Sequence, residues 1–312
     1  MEKVIIMGSG PAGYTAAIYA CRAGLSPLII SGNVLGGQAG LTAEVENYPG
    51  FPEAISGFEL MERMKQQAER LGTRVVIDEV TAADLSSRPF KLTTHGSNYE
   101  TEALIIATGV APRKLGVPGE KEYTGRGVSY CATCDGFFYK GKTVAVVGGG
   151  DAAVEEALYL SRLADKVYVI HRRNRLRAQQ IAQDRARRRE NISFIWNSVV
   201  RAILGAETVN AVLLNNMESG EESTLPVDGV FIYIGSDPNT RLFVGQLELD
   251  ANGYIVTDRR CHTSVPGVFA AGDVQELVLK QIATAVGTGA IAAMEADKFL
   301  AELEDRAYPP RQ

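Results

Sequence analysis

A chain of 312 residues, 46% hydrophobic and 22% charged, is long enough for two ordinary domains with substantial cores. Its net charge of −5 argues against a general nucleic-acid binder, and no apolar run reaches the roughly 18 residues that a membrane span needs. Four cysteines do not make a secreted disulfide framework, and a strand pattern begins directly after Met1 without a leader, so a cytoplasmic protein is expected.

The first strand, residues 4–7, runs into Gly8-Ser9-Gly10-Pro11-Ala12-Gly13, and residues 14–23 then read as a helix. In that setting the glycines suit a dinucleotide. The first permits the tight turn, the second lets backbone approach a pyrophosphate, and the third lets helix and strand pack, with the helix N-terminus facing negative charge. The next strand, residues 27–30, ends in Ser31-Gly32 instead of the acid that usually takes the ribose hydroxyls, which leaves that contact open. Gly36-Gly37-Gln38 and Glu44-Val45-Glu46-Asn47-Tyr48-Pro49-Gly50 form a turn-rich segment whose glycines and amides suit a flavin and its phosphates. Residues 55–71 read as an amphipathic helix with Phe58, Leu60, Met61 and Met64 available to the core. Residues 74–78, 79–84 and 90–94 alternate like a small antiparallel sheet, and residues 104–109 are a buried strand ending in a Gly turn. Pro112, Gly116, Pro118 and Gly119 then mark a linker.

Cys131-Ala132-Thr133-Cys134-Asp135 follows. Two cysteines at this spacing can close a small disulfide ring; alone, the pair is better read as half a zinc site or two buried thiols. Its place between two Gly-rich loops favours a redox-active disulfide fed by two bound dinucleotides, and no second Cys or His pair stands at zinc-site spacing. Cys21 and Cys261 read as small buried hydrophobes.

The plan then restarts. Residues 143–147 form a strand, Gly148-Gly149-Gly150-Asp151-Ala152-Ala153 a second dinucleotide loop, residues 154–163 its helix and residues 167–170 the next strand. At that strand's end stand His171, Arg172 and Arg173, with Arg177 a little further on. An NAD site wants a carboxylate there, whereas arginine pairs with a 2'-phosphate, so NADP(H) is expected. Arg185, Arg187, Arg188 and Arg189 read as a solvated helix face. Residues near 194, 199–204 and 209–214 suggest another small antiparallel layer, and residues 230–235 mirror 104–109. One unit is therefore inserted in another of the same plan. Residues 265–273, a buried strand ending in Gly272-Asp273, and a helix over 281–300 complete the first.

Taken together and in this order, the two loops, Gly36-Gly37-Gln38, residues 44–47, Ala107-Thr108-Gly109, the cysteine motif with Gly136, His171-Arg172-Arg173, Pro238-Asn239-Thr240 and residues 267–273 make the chain resemble the low-molecular-weight, bacterial-type thioredoxin reductases over essentially its whole length. The resemblance implies an α/β fold of two Rossmann-like dinucleotide-binding domains, each a three-layer ββα arrangement. An NADPH domain, 115–242, would be inserted in an FAD domain, 1–114 and 243–312. It implies an FAD-containing homodimer that reduces thioredoxin with NADPH. FAD would be met by Gly8, Ser9, Gly10, Pro11, Ala12 and Gly13, by Ser31, Gly32, Gly36, Gly37, Gln38 and Asn47, and by Thr108, Gly109, Gly272, Asp273, Lys280, Gln281, Ile282 and Ala283. NADPH would be met by Gly148, Gly150, Asp151, Ala152, His171, Arg172, Arg173 and Arg177. Cys134 would face the flavin, Cys131 would attack the partner, and Asp135 would be the acid–base.

Two departures stand out: Asp151-Ala152-Ala153 lacks the hydroxyl or amide residue often found after these glycines, and Lys280 stands where an arginine often precedes Gln281. The rivals are a flavoprotein of the same architecture serving a peroxiredoxin-linked or glutaredoxin-like carrier or ferredoxin, and a catalytically idle nucleotide-binding sensor. Disulfide and nicotinamide must each meet the flavin and a protein must then reach the dithiol, so the inserted domain is expected to swing about residues 115–118 and 240–245. Phe137 and Phe138 read equally as core or as partner-facing anchors.

Overall fold

The computed structural model describes residues 1–42 and 44–305. They fall into two units, Met1–Ala111 with Asp237–Gln312, and Pro112–Ser236. In chain order the first unit opens with β1 (Glu2–Met7), α1 (Pro11–Arg22), β2 (Leu28–Ile30), α2 (Gly37–Gly40) and α3 (Gly57–Arg70). It continues through β3 (Arg74–Val76), β4 (Val80–Asp84), β5 (Phe90–Thr94), β6 (Asn98–Ile106) and β7 (Val110–Pro112). The inserted unit carries β8 (Val128–Ser129), α4 (Ala132–Asp135), β9 (Thr143–Gly148), α5 (Asp151–Leu160), β10 (Lys166–Ile170) and α6 (Gln180–Arg187). Its remaining strands are β11 (Ile192–Ile195), β12 (Ser198–Gly205), β13 (Val209–Asn216), β14 (Glu222–Pro226) and β15 (Gly229–Tyr233). The chain returns through β16 (Ser236–Pro238), β17 (Val268–Ala270) and α7 (Ile282–Leu303).

Each unit is built on a parallel sheet whose strands are apolar on both faces, as burial on both sides demands. In the first unit Val4 and Ile6 of β1 face the helices α1, α3 and α7, while Ile5 and Met7 face the opposite layer with Phe243, Leu247 and Ile255. In the second, Val144 and Val146 of β9 face α5 and α6, and Ala145 and Val147 face the antiparallel sheet β12-β13-β14. Strand alternation thus produces a helix layer, a parallel sheet and a further layer beneath it.

The pairing departs from expectation at the same place in both units. β3 is the parallel edge of the first sheet, paired with β2, and β11 is the parallel edge of the second, paired with β10. Both were expected in small antiparallel sheets. In the first unit β4 and β5 are antiparallel but continue the main sheet through the N-terminal half of the long β6, whose C-terminal half pairs in parallel with β1 and β17. Phe58 is 72% exposed, so α3 presents Leu60, Met61 and Met64 to the core without it. Cys261 is buried as expected, whereas Cys21 is only half-buried, its sulfur 3.2 Å from Thr73 Oγ1.

The chain passes from one unit to the other at Ala111–Pro112 and back at Ser236–Asp237. The segments expected to act as connections lie within single units. Leu115 and Gly116 donate their N–H groups to Glu120 in the inserted unit, and Thr240 Oγ1 donates to the Gly253 carbonyl in the first.

Helix α7 closes the first unit by lying on α1 through alanines and glycine. A Cβ added to Gly289 would sit 2.3 Å from the Ala12 carbonyl oxygen, whereas one added to Gly287 would meet nothing within 4 Å. Gly289→Ala should therefore destabilise by about 1–3 kcal/mol through overpacking. Gly287→Ala, which gains only helix propensity, should stabilise by up to about 1 kcal/mol. Urea unfolding of the two variants should show opposite signs.

Candidate redox and nucleotide sites

Cys131 and Cys134 form a disulfide across the single turn of α4, at the C-terminal edge of the inserted unit's parallel sheet. Cys131 is the N-cap, and its sulfur accepts the Cys134 N–H at 3.2 Å. The segment has little freedom. Ala132 is fully buried, Gly136 has Leu160, Tyr159 and Leu163 where a Cβ would go, and Tyr139 packs edge-on against Phe231 at 5.2 Å. Gly229 is bare because the Tyr139 ring occupies the place of its Cβ. Cys134 is exposed and Cys131 half-buried, while Phe137 and Phe138, just beyond, are 71% and 70% exposed.

Polar groups fix the rest. The buried Ser129 hydroxyl donates to Asp135 Oδ2 at 2.6 Å and accepts the Cys131 N–H at 3.1 Å, so one side chain ties the acid to the first cysteine. The phenol oxygen of Tyr233, at the end of β15, accepts the Ala132 N–H at 2.7 Å. Tyr130 donates to Glu120 Oε1 at 2.7 Å, and the same carboxylate takes the N–H groups of Leu115 and Gly116. Glu156 of α5 has an Oε2 that is buried with no hydrogen-bond partner among the described residues.

In the second nucleotide-type loop, Gly150 caps α5 and has open space where a Cβ would be, while Gly149 lies against the His171 ring. His171 is buried, its Nε2 has no hydrogen-bond partner among the described residues, and burial lowers its pKa. Arg172, Arg173 and Arg177 stand exposed around it, close enough to push its pKa down further. None of these three guanidiniums has an ion-pair partner among the described residues. Asp151 Oδ1 accepts the Gln179 N–H at 2.6 Å, so this carboxylate secures the loop that carries Arg177; Ala152 beside it is exposed.

The first unit gathers its candidate residues at the corresponding strand ends. Gly10 caps α1, with Pro11 as its first helical residue, and the Cβ position of Gly13 is filled by the Gly8 carbonyl. Ser9 Oγ donates to the Ser31 carbonyl at 3.2 Å and accepts the Gly36 N–H at 3.3 Å. Ser31 Oγ donates to the Gly32 carbonyl, and a Cβ on Gly37 would lie 3.6 Å from the Gly10 Cα, with Gln38 following in α2. Asn47 donates to Gln281 Oε1 at 2.9 Å, and Gln281 caps α7 ahead of Ile282 and Ala283. Gly272 lies against Ala12, and Thr108, followed by the left-handed Gly109, exchanges two hydrogen bonds with Asn239. Asp273 is raised in pKa by burial, and its Oδ1 has no hydrogen-bond partner among the described residues. Lys280 stacks its ammonium over the Tyr254 ring, 3.1 Å from the centroid, and is held there by a cation–π contact.

Sequence reasoning singled out the cysteines, Asp135, the loops and the arginines; the structure ties Cys131 and Asp135 together through Ser129 and sets the three arginines around His171. It passed over Ser129, Tyr130, Glu120, Tyr233 and Glu156. Only Ser129, two positions before the first cysteine, gave a local signal, as a hydroxyl of the type that caps short turns.

Residues 2–289 match the pyridine nucleotide-disulphide oxidoreductases. The thioredoxin reductase of Rickettsia conorii is 51% identical over 303 residues, covering 96% of this chain and 98% of that protein. That of Streptomyces coelicolor is 50% identical over 316 residues, covering 100% and 98%. The crystal structure of Lactococcus lactis thioredoxin reductase matches with a TM-score of 0.94 at 46% identity, covering 97% of this chain and 100% of that one.

Burial carries its own pH signature. It raises the Glu156 carboxyl from 4.5 to about 7, with Glu155 adding to the shift. The folded chain thus holds this proton more tightly than the unfolded chain, and stability falls as pH rises between those two values. The loss is on the order of 3 kcal/mol. Glu156→Gln should flatten that part of the profile, read as the difference in unfolding free energy between the two proteins from pH 4 to pH 8.

Proposed function

The chain belongs to the pyridine nucleotide-disulphide oxidoreductases, and from that premise we propose that it is a thioredoxin-disulfide reductase, moving electrons from NADPH through FAD and the Cys131–Cys134 disulfide to thioredoxin. The observation that carries this reading is the disulfide itself, tied to an acid through Ser129 and carried on the same unit as a nucleotide-type loop ringed by unpaired arginines.

Both units suit the groups assigned to them. In the first, the space beside Gly10 and the orphaned Asp273 oxygen fit a flavin dinucleotide, whose ribityl hydroxyls could donate to that carboxylate. In the second, the open backbone at Gly150 and the guanidiniums of Arg172, Arg173 and Arg177 fit a pyrophosphate and a 2'-phosphate. When bound, the flavin would accept a hydride from the nicotinamide and pass an electron pair to the disulfide.

The chain's own residues supply the remaining chemistry. Thiolates are the reactive species in disulfide exchange. We assign the attack on thioredoxin to Cys131, because its sulfur already receives the Cys134 N–H, a donor that favours the thiolate. Cys131 attacks one sulfur of the partner disulfide, and the other sulfur leaves as a thiolate that must be protonated. Asp135, one residue past Cys134 and oriented by Ser129, is the group assigned to that proton. Phe137 and Phe138 are exposed beside the sulfurs, and we assign them to the docking surface for the protein substrate. The same reading places the enzyme in the cytoplasm as a homodimer.

Anaerobic titration of the yellow protein separates the rivals. NADPH should bleach the flavin more readily than NADH, and oxidised thioredoxin should restore the colour. A flavin that ignores NADPH, or a reduced protein that ignores thioredoxin, would overturn the proposal. Asp135→Asn should slow thioredoxin reduction by about 10²-fold, the usual scale of general acid–base catalysis. Flavin reduction by NADPH should be unchanged in the same stopped-flow experiment, and equal loss of both half-reactions would remove Asp135 from this role.

A further inference from the structure

We propose that Tyr233 is a positioning residue for the redox centre: by accepting the Ala132 N–H it stabilises the disulfide over the dithiol, and so makes the dithiol the stronger reductant. The proposal deepens the reading above and relies on it only for the use to which a strong reductant is put.

Of the two residues inside the ring, Ala132 and Thr133, Ala132 is fully buried. While the ring is closed, its N–H cannot turn to water, and Tyr233 at 2.7 Å is the acceptor it has. The acceptor is dependable, because burial keeps the phenol protonated and neutral. Tyr233 is itself fixed. It ends β15, its backbone carbonyl lies where a Cβ of Gly148 would fall, and β15 pairs with β9 in register up to this residue.

Reduction takes up two electrons and two protons, breaks the Sγ–Sγ bond and leaves two thiols. The turn is then no longer held covalently, and the Ala132 N–H can find water if the segment opens. Removing the acceptor therefore penalises the two states unequally. The closed ring bears the full cost of a buried, unsatisfied donor, while the open form can escape it. A wild-type phenol does the reverse and favours closure, which drives the electron pair outward. Thioredoxin's own couple is a strongly reducing one, so a donor dithiol has to be stronger than average.

The test equilibrates the flavin-loaded protein with mixtures of reduced and oxidised dithiothreitol at one pH, and scores the Cys131–Cys134 peptide by alkylation and mass. Tyr233→Phe should shift the equilibrium about tenfold toward the dithiol, a midpoint ~30 mV less negative for a two-electron couple. An unchanged midpoint, or a shift toward the disulfide, overturns the proposal. If Tyr233→Phe does not fold, fluorinated tyrosines placed at position 233 alone keep the ring and hydroxyl while weakening the oxygen as an acceptor. The midpoint should then rise with each added fluorine, and a flat series overturns the proposal equally. Because neither NADPH nor thioredoxin enters the measurement, a wrong assignment of donor or acceptor cannot mimic either result.

Discussion

In both units a glycine at the end of the strand that leads into the nucleotide-type loop, β1 or β9, lies against the carbonyl at the end of the neighbouring strand. A Cβ on Gly8 would come within 2.2 Å of the Ala107 oxygen, and one on Gly148 within 2.2 Å of the Tyr233 oxygen. Both glycines have positive φ, so neither the space nor the backbone admits another residue easily. This contact forces the chain to turn where it does and aims the N-termini of α1 and α5 across the strand ends. The candidate residues of both units are set out from it. In the inserted unit it reaches one step further: the residue whose carbonyl meets Gly148 also sends its phenol to Ala132. Nucleotide loop and disulfide are thereby hung from one strand end.

The parts of this arrangement carried by local patterns were legible in the sequence. Glycine spacing after an apolar strand, two cysteines followed by an acid, and arginines where an acid would stand are all signals within a dozen residues. Long-range pairings were not. β3 and β11 are three and four residues long, and their alternation says nothing about whether the partner is the preceding hairpin strand or a parallel strand far back in the chain. Phe58 satisfied a helical period but points to solvent, since a neighbouring stripe already filled the face. Tyr233 was hidden for a related reason: at the end of the apolar run Val230-Phe231-Ile232 it reads as one more core residue. Its hydrogen-bond partner stands 101 positions away.

The two loops are variations on one scaffold. Their glycines and helix caps are nearly interchangeable, and the difference lies at the end of the second strand. In the first unit that end is Ser31, buried and tied through its carbonyl to Ser9, with amides and glycines following. In the second it is His171, buried, with three exposed arginines around it. On the reading proposed above, the repeated backbone would supply phosphate-binding geometry to both, and the charge at one strand end would separate a phosphorylated ribose from an unphosphorylated one.

Charge is distributed just as unevenly around the disulfide. The Tyr233 phenol, which supports it from within, keeps its proton because it is buried. The carboxyl assigned to proton transfer is instead a residue of α4 itself, oriented by a hydroxyl and only partly buried. A buried ionised carboxylate under α4 would oppose thiolate formation through a medium that screens poorly. Neutral support removes that opposition, yet still satisfies the backbone of the turn. The arrangement separates two tasks that one carboxylate could not perform together, holding the ring closed and passing protons to it.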